Sequence, residues 1–130
     1  MVCLETSFLI DLLRGDRETR DKFEKFFNEQ DVITIAAPSI MEIISGASFN
    51  KKTDEKEKIL TIISSLAILS LDKESAILAG EIDSHLIMEG ETVPITDIMI
   101  AAIAKHNDET LITRDVKHFS RIPGLKVQTY

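Results

Sequence analysis

Short apolar runs alternate with amphipathic stretches along the whole of this chain. Val2 to Leu4 reads as a short, fully buried strand, after which Thr6 or Ser7 offers a hydroxyl to cap a helix from Phe8 to Leu13 that Gly15 ends. A second helix is expected from about Arg17 to Asn28, where Phe23, Phe26 and Phe27 form an apolar stripe at helical spacing. Val32, Ile33 and Ile35 make a second strand that closes at Ala36-Ala37-Pro38, and Ser39 starts a helix with Ile40, Ile43 and Ile44 on its inner face. The charged segment from Asn50 to Lys58 reads as a loop entering a helix at Thr53 or Asp54, because Ile59, Leu60, Ile62 and Ile63 follow.

Ala67 to Leu71 is a third strand, and Asp72 caps a helix whose apolar face (Ala76, Ala79, Ile82, Leu86, Ile87) runs as far as Gly90. Val93 to Ile95 leads to Thr96, a natural cap for a helix from Asp97 to His106. Thr110 to Thr113 forms a fourth strand, a turn holds Asp115 to Phe119, and Leu125 to Gln128 makes a last edge strand. Strands alternating with helices over short loops predict an α/β fold with helices on both faces of a parallel sheet. In such sheets ligands bind outside the carboxyl ends of the strands.

That rule gives four acids a common address. Glu5 follows the first strand, Glu42 rides on the helix after the second, Asp97 follows Val93 to Ile95, and Asp115 follows the fourth strand. Any one of them has an ordinary explanation, since Asp and Glu cap helices and fill turns. Glu42 and Glu5 resist it best: Glu42 interrupts the apolar run SIMEII, and Glu5 ends a buried strand, where a charge is costly unless something pairs it. Four carboxylates at one edge suit one or two hard divalent cations, Mg²⁺ or Mn²⁺. Two such ions about 4 Å apart would support in-line hydrolysis of a phosphodiester. Gathered without metal, the acids raise one another's pKa. Zinc is a poor competitor, because one Cys and the scattered His85, His106 and His118 give no usual ligand spacing, and each His reads as a solvated helix or turn residue.

Composition narrows the surroundings of that chemistry. The chain has 130 residues, 44% of them hydrophobic, which predicts one domain over residues 1–130 with a proper core. The 22 acidic against 15 basic residues give a net charge of −7, which argues against unaided binding to polyanions. Two divalent ions would bring −7 to −3, and Arg14, Arg114, Lys117 or Arg121 are candidate phosphate contacts. The start of the chain lacks a basic leader, and the longest apolar stretch, Ile98 to Ala104, is too short to span a bilayer, so a cytoplasmic protein with no membrane association is expected. Cys3, the lone cysteine, stands in an apolar strand and reads as a buried thiol.

The same residues carry a family likeness. Through VCLETSFLIDLL, SIMEIISGA around Glu42, AGEIDSHLIMEGETVPITDIMIAAIA around Asp97, and TLITRDVKHFSRIPGLKV at the end, the chain resembles PIN domains, and within them the VapC-type toxins of toxin–antitoxin pairs. The resemblance implies a three-layer α/β/α fold with a central, mostly parallel sheet of four to five strands. It also implies a Mg²⁺- or Mn²⁺-dependent endoribonuclease that acts on RNA, forms a homodimer and is neutralised by a small VapB-type antitoxin. Glu42, Asp97 and Asp115 match the family's metal-site acids, Thr113 matches a hydroxyl beside the last of them, and Ser7 would add a second hydroxyl. Glu5 departs from the pattern, which has Asp there. One extra methylene moves its oxygens further from the backbone, which points to lower activity or to a more permissive ion such as Mn²⁺.

Other classes make distinct demands. A catalytically disabled PIN-like interaction module, for which Glu5 is the clue, would bind metal weakly and cut no RNA. A receiver-like phosphoryl acceptor would need a Lys after a late strand beside the acids, and Lys117 and Lys126 fit that poorly. Metal hydrolysis of DNA uses the same chemistry, and only a substrate with and without the 2′-hydroxyl separates the two.

Overall fold

A computed structural model describes residues 1–29, 32–49 and 53–130. Its elements are β1 (Val2–Leu4), α1 (Thr6–Leu13), α2 (Arg17–Asn28), β2 (Ile33–Ala36), α3 (Ala37–Phe49), α4 (Thr53–Ile63), β3 (Ala67–Leu69), α5 (Lys73–Met88), α6 (Ile95–His106), β4 (Thr110–Ile112), α7 (Val116–Phe119) and β5 (Val127–Gln128). The five strands form one sheet in the order β3-β2-β1-β4-β5, and every pairing is parallel. Val2 faces Ile33 on one side and Thr110 on the other, so β1 is the central strand.

Alternation along the strands divides the core into two layers. Val2, Leu4, Ile33, Ile35 and Ile112 pack with Phe8, Phe26, Ile43 and Ile59 from α1 to α4, whereas Cys3, Ala36 and Leu111 face α5, α6 and Phe119 of α7. The sheet thus has helices on both faces, the three-layer arrangement expected. The apolar run from Ile98 to Ala104 is a core helix: Ile98 and every residue from Ile100 to Ala104 are buried in α6 against α5 and the sheet. Its three alanines let neighbouring backbones approach closely. Among the described residues no helix is long and apolar enough to cross a membrane. Cys3 is fully buried, and burial pushes its thiol up to about 12, as suits an inert core group.

Several boundaries differ from expectation for local physical reasons. Glu5, and neither Thr6 nor Ser7, caps α1 by accepting from the Ser7 N–H, and the helix starts at Thr6. The helix α3 begins at Ala37, two residues before Ser39, because Pro38 fits the first turn, where no intrahelical N–H bond is needed. Helix α6 begins at Ile95 after Pro94, without a side-chain cap, so Thr96 lies inside the first turn and Val93–Ile95 forms no strand. The stripe on α2 narrows to one buried ring, Phe26, with Phe27 turned outward. Strands β3 and β5 are shorter than the runs Ala67–Leu71 and Leu125–Gln128, as edge strands paired on one side only. Part of the loop expected from Asn50 lies outside the described residues. Asp72 caps α5 as expected, reciprocally with Ser75, and Gly15 ends α1 with a positive φ of 79°.

The order of strands fixes where a site belongs. From β1 the chain travels through α1 and α2 to β2 on one side, and from β4 through α7 to β5 on the other. The connections therefore diverge at the carboxyl ends of β1 and β4, leaving a crevice between them.

Candidate metal centre at the carboxyl edge of the sheet

Glu5 leaves β1 into this crevice and is almost wholly buried. One oxygen, Oε2, accepts from the Ser7 backbone N–H at 2.9 Å, from the Ser7 hydroxyl at 2.6 Å and from the Thr113 hydroxyl at 2.9 Å. Three donors on one carboxylate oxygen answer the cost of burying it. Thr113, fully buried just beyond β4, also accepts from the Asp115 N–H at 2.9 Å. Its one hydroxyl therefore ties the exit of β1 to the exit of β4. The Ser7 hydroxyl adds a second tie by accepting from the Arg114 N–H at 3.1 Å.

Glu42 reaches the crevice from α3, where its Oε1 accepts from the Thr6 hydroxyl at 2.8 Å. Burial raises its pKa, the Thr6 bond opposes that, and the charge of Glu5 raises it again. Glu5, Thr6, Ser7, Ile10, Glu42, Arg114 and Asp115 line an open cleft of about 470 Å³. A roomier cleft of about 670 Å³ lies among α1, α2 and α4 but is lined by none of the four acids.

Asp97 arrives from the opposite layer. His106, at the end of α6, lies 3.8 Å from Asp72 at the start of α5, so the two helices run antiparallel and the first turn of α6 projects away from that end. Its carboxyl is pushed up to about 6, by burial first and then by the charges of Glu5, Glu42 and Asp115, with partial relief from His118. Glu5, Glu42 and Asp115 line the cleft, and Asp97 stands beside them, near enough to feel the charge of all three. Asp115 caps α7; its Oδ1 accepts from the His118 N–H at 3.3 Å, and its Oδ2 lies 2.6 Å from His118 Nδ1. One carboxylate oxygen each from Asp97 and Asp115 and one ring nitrogen of His118 all lie within 4.8 Å of one another.

His118, expected to be a solvated helix or turn residue, keeps 38% of its side chain exposed on α7 while pairing with Asp115. The signal was available: Asp and His three apart across a helical turn face the same way. Arg114 is the one candidate cation that lines the cleft, and Asp11 grips its Nη1 with both oxygens at 2.9 Å. Asp11 also accepts from the Tyr130 hydroxyl at 2.6 Å, and the Tyr130 ring stands edge-on to Phe8 with centroids 4.8 Å apart. Burial and the bond to Asp11 raise the Tyr130 pKa, so its hydroxyl stays a donor. Arg14 caps the end of α1 and Lys117 is exposed on α7; neither lines the cleft. Arg121 instead reaches toward the Thr92 carbonyl, at 3.5 Å.

The donor set of this edge is oxygen-rich and crowded with negative charge, a composition that suits a divalent cation. Known proteins share both sequence and architecture. The PIN domain family profile matches residues 2–125. A tRNA(fMet)-specific endonuclease VapC of Salmonella typhimurium is 31% identical over 111 residues, covering 82% of either chain. Ribonuclease VapC2 of Rickettsia felis is 29% identical over 114 residues, covering 82% of this chain and 85% of that one. The crystal structure of VapBC2 from Rickettsia felis, bound to a DNA fragment from its promoter, superposes with a TM-score of 0.91 at 25% identity over 100% of this chain and 99% of that one. DNA-bound VapBC from Salmonella typhimurium gives 0.82 at 29% identity, over 99% and 98% of the two chains. The chain belongs to the PIN-domain family, and within it to the VapC-type ribonucleases.

Proposed function

We propose that the crevice between β1 and β4 is the active site of a divalent-metal-dependent endoribonuclease, with Glu5, Glu42, Asp97 and Asp115 as its metal-binding and catalytic carboxylates. The observation that carries this reading is the convergence of acids from four separate elements: Glu5, Glu42 and Asp115 line one cleft, Asp97 and Asp115 come within 4.8 Å of each other, and burial together with the other three charges pushes the Asp97 carboxyl up to about 6. Such crowding destabilises the protein unless positive charge enters the site. Mg²⁺ or Mn²⁺ is the fitting ion, since both are hard cations that take carboxylates. When bound, such an ion lowers the pKa of water and offsets charge on phosphoryl oxygens.

The protein's own groups do the rest. Ser7 and Thr113 fix the Glu5 carboxylate, and Thr6 fixes that of Glu42. Glu5 and Glu42 complete the shell or orient the attacking water, while Asp97 and Asp115 hold metal. Arg114 at the rim meets a phosphate of the RNA, and Arg14 and Lys117 lie further out as weaker candidates. The unit spans residues 1–130, works in the cytoplasm as a homodimer, and is the toxin partner of a VapB-type antitoxin. The last point is supported by the toxin–antitoxin complexes of the structural relatives.

The test is cleavage of a mixed-sequence RNA by purified, partner-free protein in Mg²⁺, in Mn²⁺ and in chelator, with a matching DNA strand as control. Metal-dependent cutting of RNA alone, lost in Asp97→Asn, is the expected result. The competing reading, a disabled interaction module, draws on Glu5: its Oε2 is already taken by three donors and its side chain is longer than the Asp of the family pattern. No cutting by the natural chain in either metal, with cutting gained by Glu5→Asp, would establish that reading instead.

A further inference from the structure

We propose that His118 is a metal ligand, so that the cleft's preferred ion is a first-row transition dication such as Mn²⁺ rather than Mg²⁺. The inference rests on the reading of the cleft as a metal site and adds to it a nitrogen donor and the selectivity that follows. Among the described residues, two groups of His and carboxylate side chains come close enough to share an ion, and one of them, Asp97, Asp115 and His118, joins the cleft through Asp115.

The geometry needs little adjustment. Neighbouring ligands on a six-coordinate ion of this size stand about 3 Å apart. His118 Nδ1 is 2.6 Å from Asp115 Oδ2, and the three donor atoms span no more than 4.8 Å, so side-chain rotations of a fraction of an ångström to about 2 Å bring them onto one centre. Both the Asp115 and His118 side chains are 38% exposed, which leaves them room to turn. Asp97 accepts no hydrogen bond from the described residues and so has no partner to give up.

Selectivity follows from the donors. Mg²⁺ favours oxygen and keeps several waters, and a neutral imidazole adds little to its binding. First-row transition dications gain more from a nitrogen donor, increasingly so from Mn²⁺ to Cu²⁺. Two carboxylates and an imidazole thus discriminate between ions that four carboxylates alone would bind alike.

Pulsed electron paramagnetic resonance of the full chain loaded with Mn²⁺ reads the ligand directly, because a bound imidazole couples its nitrogen to the electron spin. His106→Gln should be the background for this experiment, since Asp72, Glu74 and His106 form the other candidate group. Expected are nitrogen coupling in that background, its replacement by the ¹⁵N pattern when the histidines are ¹⁵N-labelled, and its loss on adding His118→Gln. The Mg²⁺ excess needed to displace Mn²⁺ should fall about tenfold or more in the His118→Gln protein. Stoichiometric Mn²⁺ binding without nitrogen coupling, or an unchanged Mg²⁺ excess, would overturn the role of His118 and leave the carboxylate site standing. Absence of any Mn²⁺ binding would overturn both. The ¹⁵N experiment uses no change at His118, so it decides the matter even if the variant folds poorly.

Discussion

The two sides of the cleft are built on opposite principles. Around Glu5 every feature lowers the cost of a buried charge: Ser7 supplies two donors and Thr113 a third, and the same hydroxyls hold the backbone of Arg114 and Asp115. Around Asp97 the features raise that cost, through burial and three like charges with His118 as partial relief. The first side is satisfied as it stands and fixes geometry. The second is left wanting positive charge, which the proposed cation would supply. One edge of the sheet thereby holds both a carboxylate whose charge is fully partnered and one whose charge is not.

Substitutions can break that division. The largest effect is expected from Asp97→Asn: RNA cleavage should fall on the order of 10²–10³-fold or more, as for loss of a principal electrostatic group, while the metal-free protein becomes more stable at pH 7. Cleavage rates and thermal unfolding in chelator check the two halves of that statement. A substitution that lowered both would show that Asp97 supports the fold. Thr113→Val should do the reverse, costing about 1–3 kcal/mol of stability because Glu5 and the Asp115 N–H each lose a partner inside the protein. Denaturant unfolding measures it, and an unchanged midpoint would mean that the tie between β1 and β4 contributes nothing.

Acidity sharpens the contrast further. The unfolded chain gives up the Asp97 proton near 3.8 and the folded one near 6. Between these values the folded state binds more protons, so the Asp97 contribution to stability falls as pH rises through the window. Glu42 shifts in the same direction. Relative to the natural chain, Asp97→Asn should therefore gain nothing in Tm near pH 4 and a few degrees by pH 7 in chelator. A gain independent of pH would place its cause in packing. The smallest effect belongs to Arg114→Ala, whose guanidinium is exposed and already paired with Asp11: a few-fold rise in KM for RNA with little change in kcat, weakening as salt is raised.

Much of this was legible along the chain, and what was missed has a common origin. The boundaries of β1 and α2, the Asp72 cap and the alternation that gives a parallel sheet rest on local chemistry, where each residue's neighbours are its sequence neighbours. Glu5 and Glu42 stood out because a carboxylate that ends or interrupts an apolar run is locally anomalous, whereas Asp97 and Asp115 drew attention only through their places after Val93 to Ile95 and after the fourth strand. Glu5 as its own helix cap was not visible, since Glu seldom caps and only the direction of its side chain toward Ser7 makes it one. Thr96 looked like a cap and is not one, because Pro94 sets the entry to α6 through its fixed φ. His118 stood in plain spacing with Asp115, but its meaning depended on Asp97 coming from the other layer.

The sequence by itself determined the periodicities, the turn chemistry and the supply of acids at strand exits, since these follow from short-range sterics and from which side chains prefer water. Tertiary structure decided which groups share an oxygen and which share a charge. Thr113 meets Glu5 across 108 positions, and Tyr130 meets Asp11 across 119. Those meetings exist only because β4 lies beside β1 in the sheet and β5 beside β4, and hydrogen bonds and Coulomb interactions act over ångströms of space, whatever the separation along the chain.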